Sequence, residues 1–310
     1  MYNNDSYKSH EENIIKMVGE TDFESFRRSY FDEGLTTSWL VNLFNRYLDP
    51  LLEADPEASW LTIGDGRYGS DAHYLIKKGF RVMATDISDA ALKIGAEKGF
   101  INEYHKENAE HLSFGDKEYD YSLCKEALHH FPRPYAAIYE MHRVSKKGII
   151  LIEPCDMYVF STSRQILFRR LVEKLTPIPF FRKILGDVKR HTYEDAGNYV
   201  YKISRREIEK VALGLNLRYV AFKDFNLSAE VNDANGKSDP EERTGPNAPA
   251  YNRMKKKIKI FEMLAKLKLS QPTNICAIIF TSVPSQKVIE SLRKDSYDFI
   301  ELPPNPYSKQ

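Results

Sequence analysis

Three glycines constrain this chain more than any other feature. Gly64, Gly66 and Gly69 lie in Leu61-Thr-Ile-Gly64-Asp65-Gly66-Arg67-Tyr68-Gly69, between a short apolar run and a segment of helical spacing. A G-x-G-x-x-G in that setting turns the backbone tightly and lets a ligand approach the main chain. It also presents the free N–H groups of a helix N-terminus. About 20 residues further on, Thr85-Asp86 closes a second apolar run, where an acidic side chain accepts from both hydroxyls of a ribose. Their local alternatives are a tight turn and a helix N-cap. Together they point to an adenosine-containing cofactor, either a dinucleotide or S-adenosylmethionine.

The surrounding pattern alternates. Trp60–Ile63, Arg81–Thr85, Tyr119–Cys124 and Gly148–Ile152 read as strands, and Ala72–Lys78, Asp89–Lys98 and Tyr135–Val144 as helices. Such alternation predicts βαβ units and a parallel sheet. Before it, residues 1–35 are polar and acidic, and Thr37–Leu52 carries apolar residues at helical spacing. After Pro154 the alternation stops. Helical pieces over 156–200 are broken by Pro177 and Pro179, and Ser204 with Glu207 opens a helix as a capping box. Leu217–Phe225 reads as a strand, Asn226–Ala250 as a polar loop, Arg253–Leu269 as a basic helix and Asn274–Val283 as an apolar strand. The Pro-rich tail Leu302–Tyr307 cannot be helical. The expected fold is α/β, a Rossmann-like doubly wound sheet with an antiparallel last strand and helical cap and lid insertions. The expected divisions are an N-terminal helical cap (1–55), a cofactor-binding core (56–155) and a lid or acceptor insertion (156–203). A completion of the core (204–283, with an insertion at 226–270) and a C-terminal helix and tail (284–310) follow.

Two further segments separate the cofactor alternatives. Asn108-Ala109-Glu110-His111-Leu112-Ser113-Phe114 is followed by Tyr119-Asp120-Tyr121-Ser122-Leu123-Cys124-Lys125-Glu126-Ala127-Leu128-His129-His130-Phe131. With the glycine loop before them, they resemble the class I S-adenosylmethionine-dependent methyltransferases, especially the small-molecule branch, from about Trp60 to Pro154. The apolar strand near Ile275–Thr281 is similar to that family's antiparallel seventh strand. The resemblance implies S-adenosylmethionine as cofactor, with Gly64, Gly66 and Gly69 along its methionine part, Asp86 on the ribose and Ile87 against the adenine. Asn108 stands where the family usually has Asp, and its amide can still accept from the adenine amine and donate to a ring nitrogen. Ala109 and Lys125 complete the expected cofactor set. Asp65 departs from the small residue usual there, and either adds a negative charge near the sulfonium or faces solvent.

Methyl transfer to oxygen needs an aligned acceptor and a base for its proton. His130 and His129, at the expected end of the fourth strand, are the leading candidates, with Glu126, Glu153, His191 and Tyr193 behind them. Cys124-Lys125-Glu126 lacks the oxygen cluster of a magnesium-assisted site, so no metal is expected. Three dispersed cysteines (Cys124, Cys155, Cys276) give neither a disulfide framework nor a zinc spacing. With no apolar signal region or spanning segment, a cytoplasmic location is expected.

Charge adds the acceptor side. Lys and Arg number 45 against 44 Asp and Glu, a balance that argues against a dedicated nucleic-acid binder. The even sum conceals an acidic first 60 residues and two basic amphipathic stretches. Arg164–Arg190 carries eight Lys/Arg against two acids, and residues 254–269 six against one. These stretches are either solvated helix faces or sites for an anionic partner: a nucleotide sugar, a lipid-linked glycan or a peripheral membrane surface. Asn198–Glu207 and Leu302–Tyr307 also resemble segments of methyltransferases of polysaccharide biosynthesis. The expectation is therefore an O-methyltransferase acting on a sugar hydroxyl or a related anionic metabolite. Its rivals are a catalytically silent methyltransferase-like binding subunit and an NAD-dependent oxidoreductase. The acceptor's identity and the oligomeric state are not encoded in these patterns.

Overall fold

Four largely apolar runs and a polar edge segment, Glu103–Lys106, form the parallel half of one sheet in the computed structural model of the chain. The structure describes residues 4–20, 22–31, 35–156, 158–159, 162–175, 191–194, 197–227 and 249–307. Its strands are β1 (Ser59–Ile63), β2 (Arg81–Asp86), β3 (Glu103–Lys106), β4 (Tyr119–Lys125), β5 (Ser145–Pro154), β6 (Tyr219–Phe225), β7 (Asn274–Phe280) and β8 (Asp298–Glu301). They lie in the order β3-β2-β1-β4-β5-β7-β6-β8. β1 to β5 pair in parallel, and β7 runs antiparallel between β5 and β6. The strand order reverses between β1 and β4, and such a switch point leaves a crevice beyond the carboxyl ends of the strands.

Helices cover both faces. Among the described residues they are α1 (Asn4–Glu20), α2 (Phe23–Phe31), α3 (Thr36–Asn45), α4 (Asp49–Ala54), α5 (Ser70–Lys77), α6 (Ala90–Glu97), α7 (Pro134–Val144), α8 (Ser163–Leu175), α9 (Arg205–Gly214), α10 (Pro249–Lys266) and α11 (Gln286–Lys294). On one face Trp60, Tyr121, Ile150 and Ile278 pack with Leu75, Leu92, Leu51 and Leu292. On the other, Ile149, Leu151 and Ile279 pack with Ile138, Met141 and Ile208 of α7 and α9. β7 is buried at every position, as a strand covered on both faces should be.

The capping box at Ser204 forms as its sequence predicts, with the Ser204 side chain accepting from the Glu207 N–H. The helix expected over Thr37–Leu52 is divided instead into α3, a 3-10 turn at Arg46–Leu48 and α4. Pro50 has no N–H to continue the helical ladder, and it sits in the first turn of α4, where that loss costs least. The polar first 35 residues include α1 and α2, and Ile14, Met17 and Val18 of α1 reach the core. β8 is an edge strand that the sequence pattern does not announce, being four residues long and mostly half-exposed. The basic stretch from 176 to 190, with Pro177 and Pro179, and most of the loop over 226–250 lie outside the described residues.

Candidate active site

The glycine loop leaves the end of β1 at the switch point. Gly64 has φ +75°, and a Cβ there would stand 2.5 Å from the Ala127 Cβ. At Gly66 a Cβ would meet the Asp86 carboxylate at 2.7 Å and Ile14 of α1 at 3.0 Å. Both glycines border a cavity of about 330 Å³. Gly69 lies off that cavity. It also has φ +75°, stands just before α5, and lets the turn close on Ile101, whose Cγ2 would be 2.6 Å from an added Cβ.

Asp65 turns away from the cavity. Its carboxylate accepts from the Asp71 N–H at 3.1 Å, the Ala72 N–H at 2.9 Å and the Thr62 hydroxyl at 2.9 Å. It satisfies free donors of the first turn of α5, so neither place expected from the sequence, beside the sulfonium or in solvent, is the one it takes. Burial and the nearby Asp71 charge raise its carboxyl well above the usual range. Lys125 also lies off the cavity. Its ammonium sits 2.5 Å from Asp71 and donates to Asn45 at 2.9 Å, on the α5 side of the sheet.

Asp86, Ile87, Asn108 and Ala109 all line the cavity. Asp86 ends β2 and accepts from the Ser88 N–H at 3.0 Å. Burial raises its carboxyl to about 6, against the pull of backbone donors at Ser88, Gly66 and Ile87. Asn108 accepts from the Glu110 N–H at 3.0 Å, which uses one of two lone pairs on its carbonyl. The cavity's charged lining is mostly acidic: Asp86, Glu107, Glu110 and Glu126 against Arg67, with His10 and His130. Glu126 sits at the left-handed φ of +52° just past β4. Burial and the neighbouring Glu153 raise its carboxyl to about 7.

The two adjacent histidines have different surroundings. His129 is largely buried, with Nδ1 2.6 Å from Glu153 Oε2. Burial alone would lower it, but Glu153, with Glu126 and Glu194, outweighs that and raises the imidazole. Glu153 itself accepts from the Ala127 and Leu128 N–H groups at 3.0 and 2.8 Å, so it anchors the turn after β4. His130 borders the cavity, and its Nδ1 faces Glu194. Burial opposes the Glu194 charge, yet the hydrogen bond and charge of His130 hold its carboxyl below the usual range. Asn198 fixes the same turn, donating to the His130 carbonyl at 2.9 Å and to Glu194 at 3.2 Å. His191 and Tyr193 are exposed and not part of the lining. Cys124, Cys155 and Cys276 are buried, which raises their thiols.

Helix α1 roofs the cavity with Tyr7, His10, Asn13, Ile14 and Met17, none of which the sequence patterns single out. It is held by side chains distant in sequence. The Tyr7 hydroxyl donates to Glu110 at 2.7 Å, His10 Nε2 lies 3.0 Å from Asn198 Oδ1, and Glu11 pairs with Lys106. The one signal in the sequence is the apolar cluster Ile14, Ile15, Met17 and Val18 in an otherwise polar segment.

Comparison with known proteins agrees with this geometry. Residues 61–152, from β1 into β5, match a family model described as a methyltransferase domain. No curated protein matches the chain. A structure assigned as a sarcosine dimethylglycine methyltransferase from Galdieria sulphuraria shares the fold, with a TM-score of 0.50 at 13% identity, over 90% of this chain and 99% of that one. Magnesium protoporphyrin IX methyltransferase from Synechocystis PCC 6803 with bound SAH gives a TM-score of 0.46 at 14% identity, over 88% of this chain and 99% of that one. The match thus places a methyltransferase domain over residues 61–152. The residues present fit S-adenosylmethionine as its cofactor. Gly64 and Gly66 let the loop pack tightly against Ala127 and Asp86 at the cavity's edge, a buried carboxylate faces the cavity, and the acidic lining suits a cationic ligand. Among the described residues, no helix is long and apolar enough to cross a membrane.

Proposed function

We propose that the chain methylates a hydroxyl of a small molecule, a sugar or a related metabolite, with His130 as the base. Bound in the cavity, S-adenosylmethionine supplies a methyl group already activated by its sulfonium, so the protein's task is alignment and proton removal. Gly64 and Gly66 would admit the methionine part, Asp86 would accept from the ribose hydroxyls, and Ile87, Asn108 and Ala109 would surround the adenine. As the acceptor hydroxyl took the methyl group, its proton would pass to His130 Nε2. Glu194 at Nδ1 orients the ring. The observation that carries this reading is the division between the two histidines: His130 borders the cavity, while His129 is committed to Glu153.

The acidic lining bears on the acceptor. Among the described residues, Arg67 is the only Lys or Arg in this lining, so a phosphate would find little to pair with there, and the acceptor presents an uncharged hydroxyl. In a nucleotide sugar or lipid-linked glycan the anionic part would stay outside. Asp65, which departs from the family's usual small residue, is held under α5 and so lends no weight to a catalytically silent subunit. The test is methyl transfer from labelled S-adenosylmethionine to a panel of nucleotide sugars and neutral glycosides. Labelled product that disappears in His130→Ala supports the proposal. Label transfer that His130→Ala leaves intact contradicts the role of His130.

A further inference from the structure

We infer that α8 and α10 form a docking surface for an anionic lipid bilayer. Each helix carries an exposed apolar stripe beside basic residues. On α8 the stripe is Arg164, Leu167, Leu171 and Lys174, with Leu167 71% and Leu171 52% exposed. On α10 it is Lys256, Ile260, Met263 and Leu267, the last just beyond the helix, with Met263 54% and Leu267 53% exposed. The spacing of both sets puts each on one face of its helix. Exposed leucines and methionines clustered in this way mark a surface that is covered when the protein works.

Charge selects the occupant. Residues 249–268 contain seven Lys/Arg and one acid, Glu262. A protein partner would need a matching acidic groove, whereas an anionic bilayer offers negative headgroups beside apolar tails and so suits both parts of each stripe. The helices also meet at a defined place. The Thr162 hydroxyl donates to the Lys268 carbonyl at 3.4 Å, the Gln165 amide to the Ser270 carbonyl at 3.2 Å, and the Gln271 amide to the Val159 carbonyl. That junction lies at the cofactor end of the sheet. Pro154 closes β5 beside Asn274 at the start of β7, and the Asn274 amide donates to cavity-lining Glu126 at 3.4 Å. Docking would therefore hold the methyl-transfer edge near the bilayer, where a lipid-borne hydroxyl could reach it.

The surface is tested without turnover and so independently of the proposed acceptor. The full chain would be sedimented with phosphatidylcholine vesicles, with and without phosphatidylserine, at low and high salt. Binding to the phosphatidylserine vesicles alone, weakened by salt, is expected. Lys256→Ala with Lys259→Ala should weaken it roughly thirty-fold, at about five-fold per lysine near the surface. Leu167→Glu with Leu171→Glu should abolish it by placing charge on the apolar stripe. All four positions are exposed, and unchanged S-adenosylhomocysteine binding in the same preparations would show that the variants are folded. Failure of the wild type to bind phosphatidylserine vesicles, or equal binding by both variants, would overturn the inference. So would a concentration-dependent dimer, lost in the leucine variant, from a chain that ignores vesicles.

Discussion

Around the switch point between β1 and β4 the charged side chains are buried and committed. Asp65 accepts from two amides of α5, Lys125 sits against Asp71, and Glu153 holds two amides and His129. On α8 and α10, leucines and lysines stand in solvent. The first region is built to keep its shape as a ligand enters, because an unpaired buried charge costs more than a pair returns. The second gains only when something covers it. The first is therefore where the proposed cofactor would sit, and the second bears on the proposed partner.

The sharpest way to probe the committed region is to separate its two histidines. His130→Ala should lower kcat about a hundred-fold to ten-thousand-fold with unfolding midpoint unchanged. His129→Ala should instead lower stability, because Glu153 is left buried without its imidazole. Equal kcat losses in both variants would erase the distinction. Lys125→Ala should cost about 3–5 kcal/mol in urea denaturation by stranding Asp71, and Lys125→Met with Asp71→Leu should recover most of it. If Lys125→Ala were silent for stability but lost cofactor, the lysine would belong to the cavity. Gly66→Ala should weaken S-adenosylhomocysteine about ten-fold or more by crowding Asp86 and Ile14, with little change in stability.

The smallest effect is a pH dependence. Burial raises the Asp86 carboxyl to about 6, and in the proposed complex a ribose hydroxyl would donate to its carboxylate form. Affinity should be flat above that value and fall toward ten-fold per unit below it, as the protonated acid must first lose its proton. For the free fold the sign is the reverse. A carboxyl raised above its unfolded value binds its proton more tightly when folded, so its contribution to stability declines as pH rises from about 4 to 6. Calorimetric titrations across this range would separate the two.

How much of this could be read in advance follows sequence distance. Gly64, Gly66, Asp86, Ile87, Asn108 and Ala109 each lie at or just past a strand end, so a linear pattern carries them, and all six reach one cavity. Lys125 lies at such an end too, but strand alternation puts it with Leu123, on the face opposite Cys124, where Asp71 waits. Tyr7, His10 and Glu194 could not be placed from their neighbours, because their partners are Glu110, Asn198 and His130, at separations of 103, 188 and 64 residues. The antiparallel β7 declares itself by a continuous apolar run, whereas the four-residue β8 depends on a free edge of β6 that only the assembled sheet provides.

The central claim is that the cavity under α1 holds S-adenosylmethionine through Asp86. Isothermal titration of the full chain with S-adenosylhomocysteine, for the wild type and for Asp86→Ala, tests it most directly. One site per chain is expected, weakened about a hundred-fold in the variant, the loss typical of hydrogen bonds to a buried charged group. Absence of binding to the wild type, or binding of NAD in its place, would contradict it.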